Sequence, residues 1–470
     1  RSGEFSLHFR GIQGCTKHAG IDVIILLLTR RSDRPDLTVL DSYGIVTLAW
    51  IISCLIGALP FLIWNPDIGF ANAVFESSSG FTTTGSTIFA DVESLPRSIL
   101  FWRAISHWLG GMGMVVLAVG LFHSMGIGAL FLMRAEAPGP EVERTSTRIS
   151  ATARILWVTY TGLTAGQVIL YLFGGMGLFD AVTHAFATLA TGGFSTRNAS
   201  IAAFPSSYIQ WVTIAFMILA GVNFVLFVHL ARGNFNRVRL DSELKTYFGM
   251  FLSAIVVVSI SLFRAFPDSP PGDLIRDAAF QVATLFTSTG FATQDYVLWP
   301  GAARGVLLIC LFLGASAGST SGGIKVIHVV LSAKAIHREV MKARHPHGVF
   351  GIYVNGAVVH DSVVASAMAF VLLYIATVLV STVVVAGSGA SIETALTATL
   401  AAIGNVGPGF SGVGPTENFG FFPASTKIWL SAVMILGRLE LVTVVAFVPI
   451  LDRHRAFTRA RTVRWNNTRL

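Results

Sequence analysis

Four copies of one short polar signature stand in a strongly apolar chain, and they align without a gap. They read Thr82-Thr83-Thr84-Gly85-Ser86, Ala190-Thr191-Gly192-Gly193-Phe194, Thr287-Ser288-Thr289-Gly290-Phe291 and Gly404-Asn405-Val406-Gly407-Pro408. The closing glycines recur at long intervals (85 to 193, 108 residues; 193 to 290, 97; 290 to 407, 117). Thirteen residues before each glycine stand Asn72, Asp180, Asp277 and Thr394, and nine before stand Glu76, His184, Gln281 and Ala398. A period of this kind implies four similar supersecondary units. Four glycine-ended loops around one axis offer backbone carbonyls that can replace the water shell of a cation. Oxygen-only coordination suits hard alkali cations rather than transition metals.

The surroundings decide the solvent. The chain has 470 residues, 53% hydrophobic and 12% charged, with mean hydropathy +0.67; soluble domains carry about 25% charged residues. Several apolar runs reach the roughly 20 residues that cross a bilayer. This composition implies a polytopic helical membrane protein. Net charge is +8 and pI about 9.7, but the basic residues gather in alternate linkers, so topology accounts for them better than a nucleic-acid partner does. Cys15, Cys54 and Cys310 are far apart and make neither a disulfide framework nor a metal spacing.

The expected fold is an all-α membrane protein of four helix–pore-loop–helix repeats, about eight transmembrane helices plus four re-entrant pore helices, around one central pore. The repeats are drawn at 36–133, 134–240, 241–345 and 346–470, the last with a basic C-terminal tail, after an atypical segment 1–35. The expected first spans are 43–64, 155–173, 247–266 and 362–386. The short helices are 72–80, 180–189, 274–286 and 392–403, and the returning spans are 100–122, 209–230, 305–331 and 426–451. The short segments are too short to cross, and irregular backbone at membrane depth persists only around a cavity or inside protein. Arg134, Arg144, Arg148, Arg232, Arg237, Arg239, Lys334, Arg338 and Lys342 lie in the inter-repeat linkers. The positive-inside rule therefore expects linkers and termini in the cytosol, where they also suit anionic lipid.

Two further features carry chemistry. In 314–323, Gly314, Gly318, Gly322 and Gly323 are interleaved with Ser316, Ser319 and Ser321, and each interior glycine costs ~1 kcal/mol of helix stability against alanine. The expectation is a break in the third repeat's second helix and a flexible loop beneath the four glycines. Arg438 is an intramembrane charge, which is costly and faces a cavity or a partner. Glu440, about 200° further round a helix, is expected on another face. Lys325 at the loop's exit is either a contact of that loop or a cytosolic anchor. Glu76, His184 and Gln281 are read as braces of the short helices, and His337, His345 and His347 as solvated linker. No Ser/His/Asp set and no paired-carboxylate arrangement stands out.

Several stretches carry a resemblance. They are 75–85, Phe-Glu-Ser-Ser-Ser-Gly-Phe-Thr-Thr-Thr-Gly; 108–119, opening Trp-Leu-Gly-Gly-Met-Gly; 134–140, Arg-Ala-Glu-Ala-Pro-Gly-Pro; 317–325, Ala-Gly-Ser-Thr-Ser-Gly-Gly-Ile-Lys; and Gly437-Arg438-Leu439. From about residue 36 to 451 the chain resembles the Trk/Ktr/HKT superfamily of potassium transporters, and within it the bacterial Trk membrane subunits. The resemblance implies a non-enzymatic pore subunit of the bacterial inner membrane, a homodimer, and a cytosolic regulatory ring that alone binds nucleotide, with no covalent cofactor. It maps the family's filter glycines onto Gly85, Gly193, Gly290 and Gly407. The filter set is then Thr83, Thr84, Gly85, Thr191, Gly192, Gly193, Ser288, Thr289, Gly290, Asn405, Val406 and Gly407, with potassium on their carbonyls. It makes the intramembrane loop the gate, with Gly314, Gly318, Ser319, Gly322, Gly323, Lys325 and Arg438. In relatives, serine at the first filter position goes with sodium permeation, so Gly85 favours potassium. Two other readings stay open: a proton- or sodium-coupled potassium symporter on the same fold, and a membrane-embedded enzyme using Glu76 or His184.

Overall fold

The computed structural model describes residues 39–125 and 144–440, with side chains over 44–113 and 153–440. The segment 1–35, the stretch 134–140 and the basic residues beyond 440 lie outside the described residues.

Long apolar helices alternate with short ones. The chain runs through α1 (Val39–Gly57), α2 (Leu59–Trp64), α3 (Phe70–Phe81) and α4 (Arg97–Met125). It continues through α5 (Arg144–Phe173), α6 (Leu178–Leu189), α7 (Ser207–Ala220) and α8 (Phe224–Ala231). Next come α9 (Phe235–Leu240), α10 (Ser242–Ala265), α11 (Pro271–Phe286), α12 (Gly301–Phe312) and α13 (Val326–Arg344). A hairpin of β1 (Ile352–Val354) and β2 (Ala357–Val359) precedes α14 (Asp361–Ala386), α15 (Ile392–Ile403) and α16 (Ala424–Arg438).

Among the described residues, four helical stretches are long and apolar enough to cross a bilayer: Gly44–Trp64, Ala153–Phe173, Ser242–Ala265 and Asp361–Ala386. Only 28 to 33% of each is buried in the protein. Their open faces carry Ile52, Ile56, Leu252, Val256, Leu372 and Val383, a belt that water would not tolerate over such an area. The chain is thus a multi-pass membrane protein. The short helices α3, α6, α11 and α15 have 12, 12, 16 and 12 residues. At 1.5 Å per residue, 12 residues rise about 18 Å, well short of a ~30 Å hydrocarbon layer. They sit at the centre, buried from Ala73 to Gly80 in α3 and from Ala278 to Phe286 in α11. Their starts are set locally: Pro271 occupies the first turn of α11, where its missing N–H costs nothing, and Ser391 Oγ caps Thr394 N of α15 at 3.2 Å.

The expected break in the third repeat is present: it runs over 313–325, and its ends are pinned by Gly314 N to Ile324 O (2.7 Å) and Ile324 N to Phe312 O (3.3 Å). Three expectations are corrected. The return helix expected at 209–230 is two helices, bent by 94° at Gly221-Val222-Asn223. Helix α16 stops at Arg438, and Glu440 follows with φ 53°, so helical rotation does not separate the two. The all-α class gains one hairpin, turned at Asn355-Gly356 with φ 51° and 75°, the left-handed pair that a two-residue hairpin turn favours.

Candidate functional site

The four short helices end identically. The N–H two residues before the glycine bonds three residues back: Thr83 to Gly80 O, Thr191 to Thr188 O, Ser288 to Leu285 O and Asn405 to Ala402 O, at 2.9 to 3.3 Å. The next N–H bonds five back: Thr84 to Ser79 O, Gly192 to Ala187 O, Thr289 to Thr284 O and Val406 to Ala401 O, at 2.8 to 2.9 Å. This is the Schellman pattern, with a left-handed residue that is never glycine: Thr83 (φ 55°), Thr191 (53°), Ser288 (54°) and Asn405 (51°). The glycine two residues on is left-handed as well, at φ 85°, 75°, 83° and 99°.

The loops close a ring in chain order. A Cβ on Gly85 would overlap the carbonyl oxygen of Gly192, one on Gly193 that of Thr289, and one on Gly290 that of Val406. One on Gly407 would stand 2.8 Å from Thr84 O. Each glycine therefore lies against the carbonyl just before the next repeat's glycine. The last junction carries extra bonds: Ser86 Oγ donates to Gly407 O (3.0 Å) and Asn405 Nδ2 to Thr84 Oγ1 (3.0 Å). Thr83 Oγ1 is buried without a hydrogen-bond partner among the described residues.

Outside the ring, one repeat position ties three of the four short helices to the segment that leaves the loop. Glu76 accepts from Ile88 N (3.0 Å) and Thr87 Oγ1 (3.0 Å). His184 engages Asp180 O (2.7 Å) and Ser195 Oγ (2.9 Å) through its two ring nitrogens. Gln281 meets Thr293 and Gln294, and in the fourth repeat, where the position is Ala398, neighbouring Thr397 Oγ1 donates to Phe410 O (3.0 Å). Glu76 also pairs with Arg103 at 2.8 Å, both buried. Arg103 lies 4.0 Å from the Phe194 ring centroid and donates to Ser195 O (3.2 Å), joining the first two repeats.

The intramembrane loop rises under the ring. Thr320 Oγ1 donates to Leu189 O (3.0 Å), the last residue of α6, and Ser321 Oγ meets Ser288 Oγ (3.0 Å). Gly322 packs so closely on Gly404 O that a Cβ would overlap it. Arg438, 1% exposed, donates to Thr320 O (2.7 Å) and Gly110 O (3.1 Å). The loop thus touches the ends of three short helices, and Arg438 links it to the remaining repeat. Lys325 is buried and bonds Ser321 O; its contact is with its own loop. Ser316 N bonds Gly221 O (3.0 Å) and Phe224 N bonds Gly318 O (3.0 Å), so the α7/α8 break supplies backbone groups to the loop.

A profile described as TrkH, cation transport protein, matches residues 23–457. The chain belongs to the TrkH family. It is 36% identical over 427 residues to the Trk system potassium uptake protein TrkH of Escherichia coli (strain K12), covering 90% of this chain and 88% of that protein. It is 35% identical over 433 residues to TrkH of Halomonas elongata, covering 91% and 89%. The crystal structure of the potassium transporter TrkH from Vibrio parahaemolyticus superposes with TM-score 0.80 at 34% identity, covering 89% of this chain and 86% of that one. As a TrkH family member the chain is a transporter and not an enzyme.

Sequence reasoning passed over several residues of this TrkH-family site. Arg103 was open to the argument applied to Arg438, an uncancelled charge in an apolar run. Asn355-Gly356 between alternating Val354 and Val358 is a hairpin signal. Glu243, which accepts from Ala317 N at 2.6 Å, had no local signal, because its partner is 74 residues away. Among the described residues, no three His, Cys, Asp or Glu side chains gather as a metal site.

Proposed function

We propose that this protein carries potassium across a bacterial cytoplasmic membrane through a gated, passive pore, with about eight spans and four re-entrant helices arranged as four repeats. The observation that carries the reading is the closed ring of four left-handed loops. Backbone carbonyls gathered at such a ring offer a coordination shell that needs no charged side chain. The four short helices end at this ring, and their C-terminal partial charges favour a cation there. Thr83, Thr84, Gly85, Thr191, Gly192, Gly193, Ser288, Thr289, Gly290, Asn405, Val406 and Gly407 form the filter. The relatives' names as potassium uptake proteins support potassium as the cargo.

The loop 313–325 and Arg438 are the barrier. Thr320 occupies a carbonyl at the end of α6, and the Arg438 guanidinium brings positive charge to the same convergence. Both compete with a cation for the groups that would stabilise it. The family resemblance and the basic linkers support a homodimer, cytosolic termini, and a cytosolic nucleotide-binding ring. Purified protein in liposomes under a potassium gradient tests the reading. A current reversing at the potassium equilibrium potential is expected. A reversal that moves with a proton or sodium gradient at fixed potassium would establish coupled transport instead, and absence of potassium flux would overturn the reading.

A further inference from the structure

The intramembrane loop has two limbs, and they are held differently. Residues 320–322 bond upward to the short-helix ends. The limb 316–318 bonds to the broken α7/α8 pair and to one side chain, Glu243. Glu243 is the second residue of α10 and 7% exposed. Its Oε1 accepts from Ala317 N at 2.6 Å. On the loop side Lys325 and Arg438 donate to Ser321 O and Thr320 O, whereas Glu243 accepts from the loop backbone. A buried amide left without such an acceptor carries the full cost of its desolvation.

The start of α10 is in turn held from outside. Asn355, exposed at the hairpin turn, accepts from Ser242 N (2.6 Å) and donates to Asp241 Oδ2 (2.9 Å). Asp241 Oδ1 caps α10 at Leu244 N (2.7 Å). The hairpin packs Ile352 and Val354 on Ile327, Leu331 and Ala335 of α13, the helix into which the loop runs. One small element therefore grips both the helix that follows the loop and the helix that holds it.

We propose that Glu243 is a positioning residue for the barrier, holding the loop in its closed place through the Ala317 amide, and that Asn355 sets where Glu243 stands. The hairpin tip is then the outside handle of the gate. This rests on the reading of the loop as the barrier, and the experiment separates the two. Potassium flux and the potassium-to-sodium permeability ratio are measured in liposomes for the full chain, Glu243→Ala, Glu243→Gln, Asn355→Ala, a deletion of residues 315–318, and that deletion combined with Glu243→Ala. Glu243→Ala is expected to raise basal flux by roughly fivefold, the effect of one buried hydrogen bond on a two-state equilibrium. Asn355→Ala acts in the same direction. Glu243→Gln restores most of the closure, since its amide oxygen still accepts from Ala317. Glu243→Ala adds nothing to the deletion, and the permeability ratio stays constant throughout. If the deletion raises flux while Glu243→Ala and Asn355→Ala do not, the proposal fails and the barrier reading stands. An additive effect of Glu243→Ala on the deletion also refutes it. If the deletion itself leaves flux unchanged, the barrier reading falls. Should Glu243→Ala not assemble, Asn355→Ala at the exposed turn decides alone.

Discussion

At three of the four ring glycines an added methyl group meets a neighbouring carbonyl head-on, while at Gly407 it stands 2.8 Å from Thr84 O. A methyl group therefore clashes at all four junctions, severely at three and less so at the fourth. Gly85→Ser is expected to lower the potassium-to-sodium permeability ratio by about tenfold or more, equivalent to ~1.4 kcal/mol of discrimination, because the Gly192 carbonyl must move. Reversal potentials in mixed potassium and sodium measure it, and an unchanged ratio removes Gly85 from the filter. Gly407→Ala is expected to keep more flux and selectivity than Gly193→Ala or Gly290→Ala in the same assay. The buried Glu76–Arg103 pair gives a stability prediction. Arg103→Met leaves an uncompensated buried carboxylate, typically a loss of ~3–5 kcal/mol, and adding Glu76→Gln should recover much of it; thermal unfolding of the single and double variants tests this. The glycine positions were legible in the sequence because a positive φ and a neighbouring carbonyl together leave no room for a side chain there. Which carbonyl each glycine faces was not, because every such contact joins different repeats.

At the scale of elements, helix ends carry the chemistry. Deleting residues 315–318, or Arg438→Ala, is expected to raise potassium flux with unchanged selectivity, since the Schellman turns above keep their own hydrogen bonds. Liposome flux on both variants decides it, and rates no faster than the parent place the gate elsewhere. The broken α12/α13 helix was readable from its density of glycine and serine. The α7/α8 break was not, since one Gly and one Asn barely interrupt an apolar run. Asn223 nonetheless caps α8, its Oδ1 accepting from Val225 N at 2.9 Å. Asn223→Ala should cost ~1 kcal/mol of stability, measurable as a lowered Tm. The short helices themselves were legible from length and polarity; the fourth starts at the expected Ile392, behind the Ser391 cap, and the other three start two or three residues earlier than expected, where no side chain caps them.

At the scale of the molecule, the apolar outer belt and the polar centre follow from the solvent. Hydropathy made that division legible, and the four-part register made the convergence of loops legible. The order of packing around the axis needed the structure. The basic linkers predict that a nucleotide-binding protein co-purifies with this chain from its host, and that nucleotide alters flux; purification without such a partner, with nucleotide-insensitive flux, removes that expectation. The ring's closure also has a meaning for how the protein is made. Its fourth junction joins Gly407 to Thr84, two residues far apart in the sequence. At 5–20 residues per second, the 117 residues from 290 to 407 take on the order of ten seconds to emerge. Until then the ring lacks two of its four contacts, Gly290 against Val406 O and Gly407 against Thr84 O, so a chain stopped before the fourth loop cannot close it.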